Sequence, residues 1–146
     1  MRILIVHNEY RRFSGEESVV NNTMTLFRSK GHTIIPYIRT SKEIGGSFLG
    51  KLRAFLGGIH SIRAERDIQK RITDERPDVM YLHNLFPLIS PSIFSVAKRM
   101  NVPIVMHVHN YRIICPTGLF LSNHEVCERC AGGREVWCVI RNCTGS

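Results

Sequence analysis

Apolar and polar residues fall in blocks along this chain, and the blocks carry two different periods. Arg2–Val6 is a continuous run of Leu and β-branched residues, the pattern of a strand covered on both faces. A loop over 8–13 is expected next. Ser14-Gly15-Glu16-Glu17 then opens a helix, because Ser14 and Glu17 stand at capping-box spacing and acidic residues suit a helix N-terminus. Val19, Val20, Thr23, Met24 and Phe27 recur at helical spacing, and Lys30-Gly31 supplies the stop. A second strand is expected over 32–38. Further on, Phe48, Leu49, Leu52, Phe55, Leu56, Ile59 and Ile62 form an apolar stripe at helical spacing, flanked by basic residues from Lys51 to Arg71. The stripe reads first as core with solvated charges. Its second reading is a basic amphipathic segment on an anionic membrane surface.

Val79–Leu82 is the third expected strand. Ser90-Pro91 suits a helix start, Ser92–Met100 the helix itself, and Pro103–Val108 a short buried fourth strand. Strands alternating with helices predict an α/β fold: a Rossmann-like parallel sheet with helices on both faces. Its domain spans residues 1–114 and is followed by a Cys-rich loop over 115–146. After Val108 no further strand–helix pair follows, so the sheet is expected to be incomplete.

Three of the apolar runs are followed by the same dipeptide: His7-Asn8, His83-Asn84 and His109-Asn110. In an open parallel sheet the carboxyl edge of the strands is where ligands bind. A neutral imidazole there can hydrogen-bond a substrate hydroxyl or move a proton. His109 is the strongest candidate, since Asn110, Tyr111 and Arg112 beside it are rich in hydrogen-bonding groups. His107 reads as a structural histidine. Gly15, at the start of the first helix, is either bare turn chemistry or a place where backbone N–H groups meet an anion. Glu16 and Glu17 partly oppose an anion and favour a sugar hydroxyl.

The charge balance adds a constraint. With 20 Lys and Arg against 12 Asp and Glu, the net charge is +8 and anionic partners are favoured. No apolar run reaches the ~20 residues of a membrane span, and Ile3–Val6 is too short for a signal-peptide core. A cytoplasmic location is expected, with peripheral contact at the inner membrane face as its variant. The 5 Cys are an odd number, which disfavours a disulfide framework. Cys127 and Cys130 form a C-x2-C knuckle, with Cys138 and Cys143 after it and Cys115 before. Four of these five suit a structural Zn²⁺ site that staples a loop lacking its own core. Free thiols, an Fe–S centre or a disulfide stay open as alternatives.

Several stretches together resemble one family. The run from Met1 to Asn8, Ser14 to Val20, Arg76-Pro-Asp-Val79, His83 to Pro91, and His107 to Pro116 are similar to family 4 glycosyltransferases, in a bacterial subgroup with a Cys-rich loop. The resemblance covers nearly the whole chain. It implies the N-terminal, acceptor-side domain of a GT-B enzyme, which transfers sugar from a nucleotide-sugar to a glycan or lipid-linked acceptor in cell-envelope polysaccharide synthesis. Such enzymes retain anomeric configuration and need no catalytic metal. The resemblance places Gly15, with Ser14 and Glu16, near donor phosphates or acceptor. It places His109 as the catalytic residue against the transferred sugar, with His83, Asn84, Asn110, Tyr111 and Arg112 as substrate contacts. Where the family pattern has a Gly pair in the first loop, this chain has Ser14-Gly15. The donor-binding domain is missing, so the chain is expected to be a fragment or split-gene product that does not transfer sugar alone.

A different class of function competes. The charge and the Cys cluster, with Arg112, Arg129, Arg134 and Arg141, suit a zinc-stapled module for nucleic acid or another anionic partner. Tyr111 and Trp137 are few aromatics for base stacking, and the charge is spread along the chain. Nucleic acid is therefore the lesser expectation.

Overall fold

In the computed structural model, residues 1–10, 14–44, 57–58 and 60–143 are described. The chain divides into two compact units, Met1–His107 and Val108–Ser146. The boundary expected between residues 114 and 115 falls inside the second of these. No helix among the described residues is long and apolar enough to cross a membrane.

The first unit is mixed α/β. Strand β1 (Arg2–Glu9), helix α1 (Gly15–Ser29), β2 (Thr33–Thr40), α2 (Ile62–Glu75), β3 (Val79–Leu82), α3 (Ile93–Arg99) and β4 (Ile104–Met106) follow in order. The four strands form one parallel sheet in the order β2-β1-β3-β4. The connection direction reverses between β1 and β3, the kind of point where an open parallel sheet leaves a crevice beyond its carboxyl ends. Successive strand residues face opposite sides, and the core follows that alternation. Leu4, Val6, Ile35, Tyr37, Met80 and Leu82 pack with Ala64, Ile68 and Ile72 of α2 and Ile93, Val96 and Ala97 of α3. Ile3, Ile5, Ile34, Val79 and Tyr81 pack with Val20, Met24 and Phe27 of α1. Helices therefore flank both faces, and side chains two apart on a strand share one face.

The capping box at the start of α1 forms as its spacing predicts: Ser14 is the N-cap and Glu17 the reciprocal partner. A second box, Thr40 with Glu43, turns the chain after β2. Helix α2 is capped by Ser61 and stopped by Arg76 at φ 48°.

Several expectations need correction. Strand β1 runs on through His7 and Asn8 to Glu9, because the ladder to β2 continues to the Glu9–Thr40 pair. Asn8 and Glu9, expected in the loop, therefore belong to the strand, and 11–13 lie outside the described residues. Helix α3 begins at Ile93 instead of Pro91. Ser90 adopts φ 72°, and its hydroxyl takes the Ser61 N–H at 3.1 Å, tying this turn to α2. Of the expected stripe over 48–62, residues 48–56 and 59 lie outside the described residues; Ile62 is 56% exposed and takes no part in the core. The fourth strand is not buried: Ile104, Val105 and Met106 are all exposed. It is an edge strand paired only with β3 among the described residues, so its apolar composition did not imply cover.

The second unit is built of turns. A 3-10 turn (Tyr111–Ile113), a two-stranded antiparallel ribbon of β5 (Leu121–Ser122) and β6 (Glu125–Val126), and a short helix α4 (Val136–Ile140) are its regular parts. Large apolar side chains stay exposed, among them Leu119, Val126, Val139 and Ile140. Among the described residues its buried side chains are instead those of Cys115, Cys130 and Cys138.

Candidate functional site

The sheet register gathers aromatic and imidazole rings at the carboxyl edge, on the face that α1 covers. His7 shares the parity of Ile3 and Ile5, and His83 that of Val79 and Tyr81. His83 continues the ladder through its N–H to the Val6 carbonyl, and His107 does so through its N–H to the Leu82 carbonyl. The outcome is a run of rings across three adjacent strands. His7 meets His83 edge-on at 5.9 Å between centroids, and His83 stacks on His107 at 5.3 Å. Tyr81 touches both His83 and His107, and its hydroxyl shares a 3.2 Å hydrogen bond with His107 Nδ1. His7 and His83 are buried, whereas His107 is half-exposed and forms the open end of the row.

Glu17 closes the other end. Its Oε1 lies 3.8 Å from His7 Nε2, an ion-pair distance when that ring is protonated. The carboxylate also accepts the N–H groups of Tyr10 and Ser14 and the Ser14 hydroxyl. Burial alone would raise its pKa, but these hydrogen bonds outweigh it and hold the carboxyl below its ordinary value. One residue thus caps α1, anchors the turn after β1 and sets a negative charge beside the imidazole row. Capping-box spacing makes Glu17 visible in the sequence, but only as a helix cap. His107, read there as structural, proves to be a direct neighbour of His83.

The other expected residues are distributed between the units. Ser14 and Gly15 begin α1, and Glu16 is half-buried beside them. A Cβ placed on Gly15 meets nothing within 4 Å, so the chain's own packing does not demand glycine there. Asn8 and Asn84 work on the backbone. Asn8 donates to Ser41 Oγ and the Glu9 carbonyl and accepts the Leu88 N–H. Asn84 donates to the carbonyls of Asn8 and Phe86 and accepts the Phe86 N–H. Both amide hydrogens of Asn84 are engaged, and a ligand would meet only its remaining oxygen lone pair.

His109, Asn110, Tyr111 and Arg112 belong to the second unit. Asn110 caps the 3-10 turn by accepting the Arg112 N–H at 3.0 Å. Tyr111 is exposed and packs its ring 4.8 Å from that of Phe120. Gly118 closes this loop at φ 79°, where a Cβ would press on the Arg112 side chain at 3.1 Å. A side chain at this position would strain the backbone and require the Arg112 side chain to shift, so glycine suits both the conformation and the gap.

The five cysteines carry no disulfide. Cys115 sits in the same loop with its sulfur 3.2 Å from Thr117 Oγ1. Burial opposes its ionisation, yet the Thr117 hydroxyl and the amides of Phe120, Thr117 and Gly118 prevail and bring the thiol down to about 7. Cys130 and Cys138 are pushed up, first by burial and then by neighbouring cysteines. Among the described residues no group of three or more His, Cys, Asp or Glu side chains is placed to hold a metal ion.

No protein-family model and no curated protein matches the chain.

Proposed function

We propose that this chain is the N-terminal, acceptor-side part of a retaining glycosyltransferase of GT-B type, similar to family 4. The observation that carries the reading is the imidazole row. Three rings from adjacent strands share the carboxyl edge of a parallel sheet, at its switch point and beside the start of α1. Imidazoles flanked by a carboxylate suit the hydroxyl groups of a sugar acceptor, which both donate and accept hydrogen bonds. The exposed α1 start at Gly15 leaves space for a ligand against backbone N–H groups.

In this reading the unit Met1–His107 is Rossmann-like, and a nucleotide-sugar donor binds on a second domain outside these 146 residues. His109 is the catalytic residue, with Asn110, Tyr111 and Arg112 near the transferred sugar. The acceptor is a glycan or a lipid-linked saccharide, handled in the cytoplasm or at the inner face of the membrane. No catalytic metal is required.

Ligand-detected NMR on the 146-residue protein tests this reading with a panel of oligosaccharides, nucleotide-sugars and oligonucleotides. A saccharide signal that His83→Ala weakens supports it. Turnover of any nucleotide-sugar by this chain alone would overturn the acceptor-side assignment. Binding confined to oligonucleotides, and lost at raised salt, would replace it with the basic-module reading.

A further inference from the structure

The imidazole row has one end that the sheet leaves open. Helix α1 covers one face of β2, β1 and β3, where Ile34, Ile3, Ile5, Val79 and Tyr81 pack with Val20, Met24 and Phe27. On β4 that cover gives out. Tyr81 pairs with Val105 and Leu82 with Met106, so Val105 and His107 share the face of Tyr81 and His83. Val105 is 47% exposed, and His107, two residues further along, is half-exposed.

His107 is nevertheless held at its backbone, its ring face and one ring nitrogen. Its N–H donates to the Leu82 carbonyl at 2.8 Å, its ring stacks on His83, and its Nδ1 meets the Tyr81 hydroxyl at 3.2 Å. Tyr81 is itself braced edge-on by the Phe27 ring at 5.5 Å. The phenol–imidazole contact bears on the tautomer. An unprotonated imidazole nitrogen accepts a hydrogen bond better than a phenol oxygen, whose lone pair is shared with its ring. The contact is therefore stronger with Tyr81 as donor, an arrangement that leaves the ring proton of His107 on Nε2. Nε2 lies on the ring edge turned away from Tyr81.

We propose that His107 is the saccharide contact of the row, donating its Nε2–H to a ligand hydroxyl oxygen, and that Tyr81 is the positioning residue that keeps Nδ1 unprotonated. This role rests on the acceptor-side reading and adds to it a residue of the unit Met1–His107. The half-exposed ring supplies a donor, while Glu17 places an acceptor beside His7 at the other end of the row. A sugar hydroxyl answers both kinds of group, whereas a phosphate oxygen answers only the donor.

The test uses the isotope-labelled 146-residue chain at roughly pH 8, where ordinary imidazoles are neutral. A long-range proton–nitrogen correlation spectrum reads the tautomer of each histidine, and the pattern missing from His107→Ala identifies His107. The expected pattern has the proton on Nε2. Tyr81→Phe keeps the ring and removes the hydroxyl, and should turn that pattern into a mixture of tautomers. Gluco-, galacto- and manno-oligosaccharides and inorganic phosphate are then added separately. At least one oligosaccharide should shift the His107 nitrogens and bind roughly 3- to 10-fold more weakly to Tyr81→Phe and to His107→Ala. His107→Gln, whose amide can set an N–H near the same point, should recover part of the affinity lost in His107→Ala. A proton on Nδ1 in the wild-type chain would overturn the proposal, and so would equal losses in the Ala and Gln variants. Saccharide binding that leaves His107 unshifted would overturn the contact alone and leave the acceptor-side reading standing. Failure of every oligosaccharide to bind, whether or not phosphate shifts His107, would overturn both together.

Discussion

His83 stacks on His107 with ring centroids 5.3 Å apart and planes 25° from parallel. One ring is buried and the other half-exposed, and the pair links the ends of β3 and β4. Their burial predicts unequal consequences of removal. His83→Ala should cost about 1–3 kcal/mol in urea unfolding, since it empties a space among His7, Tyr81 and His107. His107→Ala should cost less than half as much. Equal losses would mean that the stack is not the support of this edge.

His109 calls for a different measurement. In a version of the enzyme that includes a donor domain, His109→Ala should lower turnover by roughly 10²-fold or more while moving Tm only slightly. A wild-type rate in that variant would remove His109 from the catalytic assignment.

Gly15 separates ligand approach from folding. Its Cβ position is open, and it is the first residue of α1. Gly15→Ala should leave stability unchanged or raise it by about 0.4–1 kcal/mol, because the unfolded chain loses freedom. If a ligand approaches this backbone, saccharide binding should fall in the same variant. Unimpaired binding would reduce Gly15 to turn geometry.

Glu17 makes stability depend on pH in a defined direction. Its folded-state pKa is lowered below the ordinary 4.5, so its contribution is fully present above that value. The contribution is lost as pH falls through the lower folded-state pKa. Glu17→Gln should therefore cost roughly 1–2 kcal/mol near neutral pH, and the difference from wild type should shrink in acid. A difference that stays constant into acid would show that packing, and not charge, accounts for the loss.

Asn8 is fully buried and ties β1 to the turns after β2 and β3 through Ser41 and Leu88. Asn8→Ala leaves those partners unmatched and should cost about 2–4 kcal/mol in denaturant unfolding. A cost under ~0.5 kcal/mol would mean that water replaces the amide without penalty.

Local order is legible in the sequence. The capping box of Ser14 and Glu17, the strand Val79–Leu82, and the helix stop at Lys30-Gly31 follow from interactions within a few residues. Short-range chemistry of that kind is written in spacing. The start of α3 is not legible in the same way, because the Ser90 hydroxyl is drawn to Ser61, a partner that sequence proximity does not reveal.

Residue order along the chain is thus enough to establish that strands and helices alternate, where α1 is capped, and that cysteines cluster near the C-terminal end. Which imidazoles meet is a matter of the folded sheet. Ring contacts depend on strand order and register, and the order β2-β1-β3-β4 sets His7 beside His83 and His83 beside His107. The same assembly leaves β4 as an exposed edge and lets Glu17 serve the sheet as well as its own helix. An apolar run lowers its free energy by burial, but burial requires a neighbour. The pairing that supplies one is a long-range property of the folded chain.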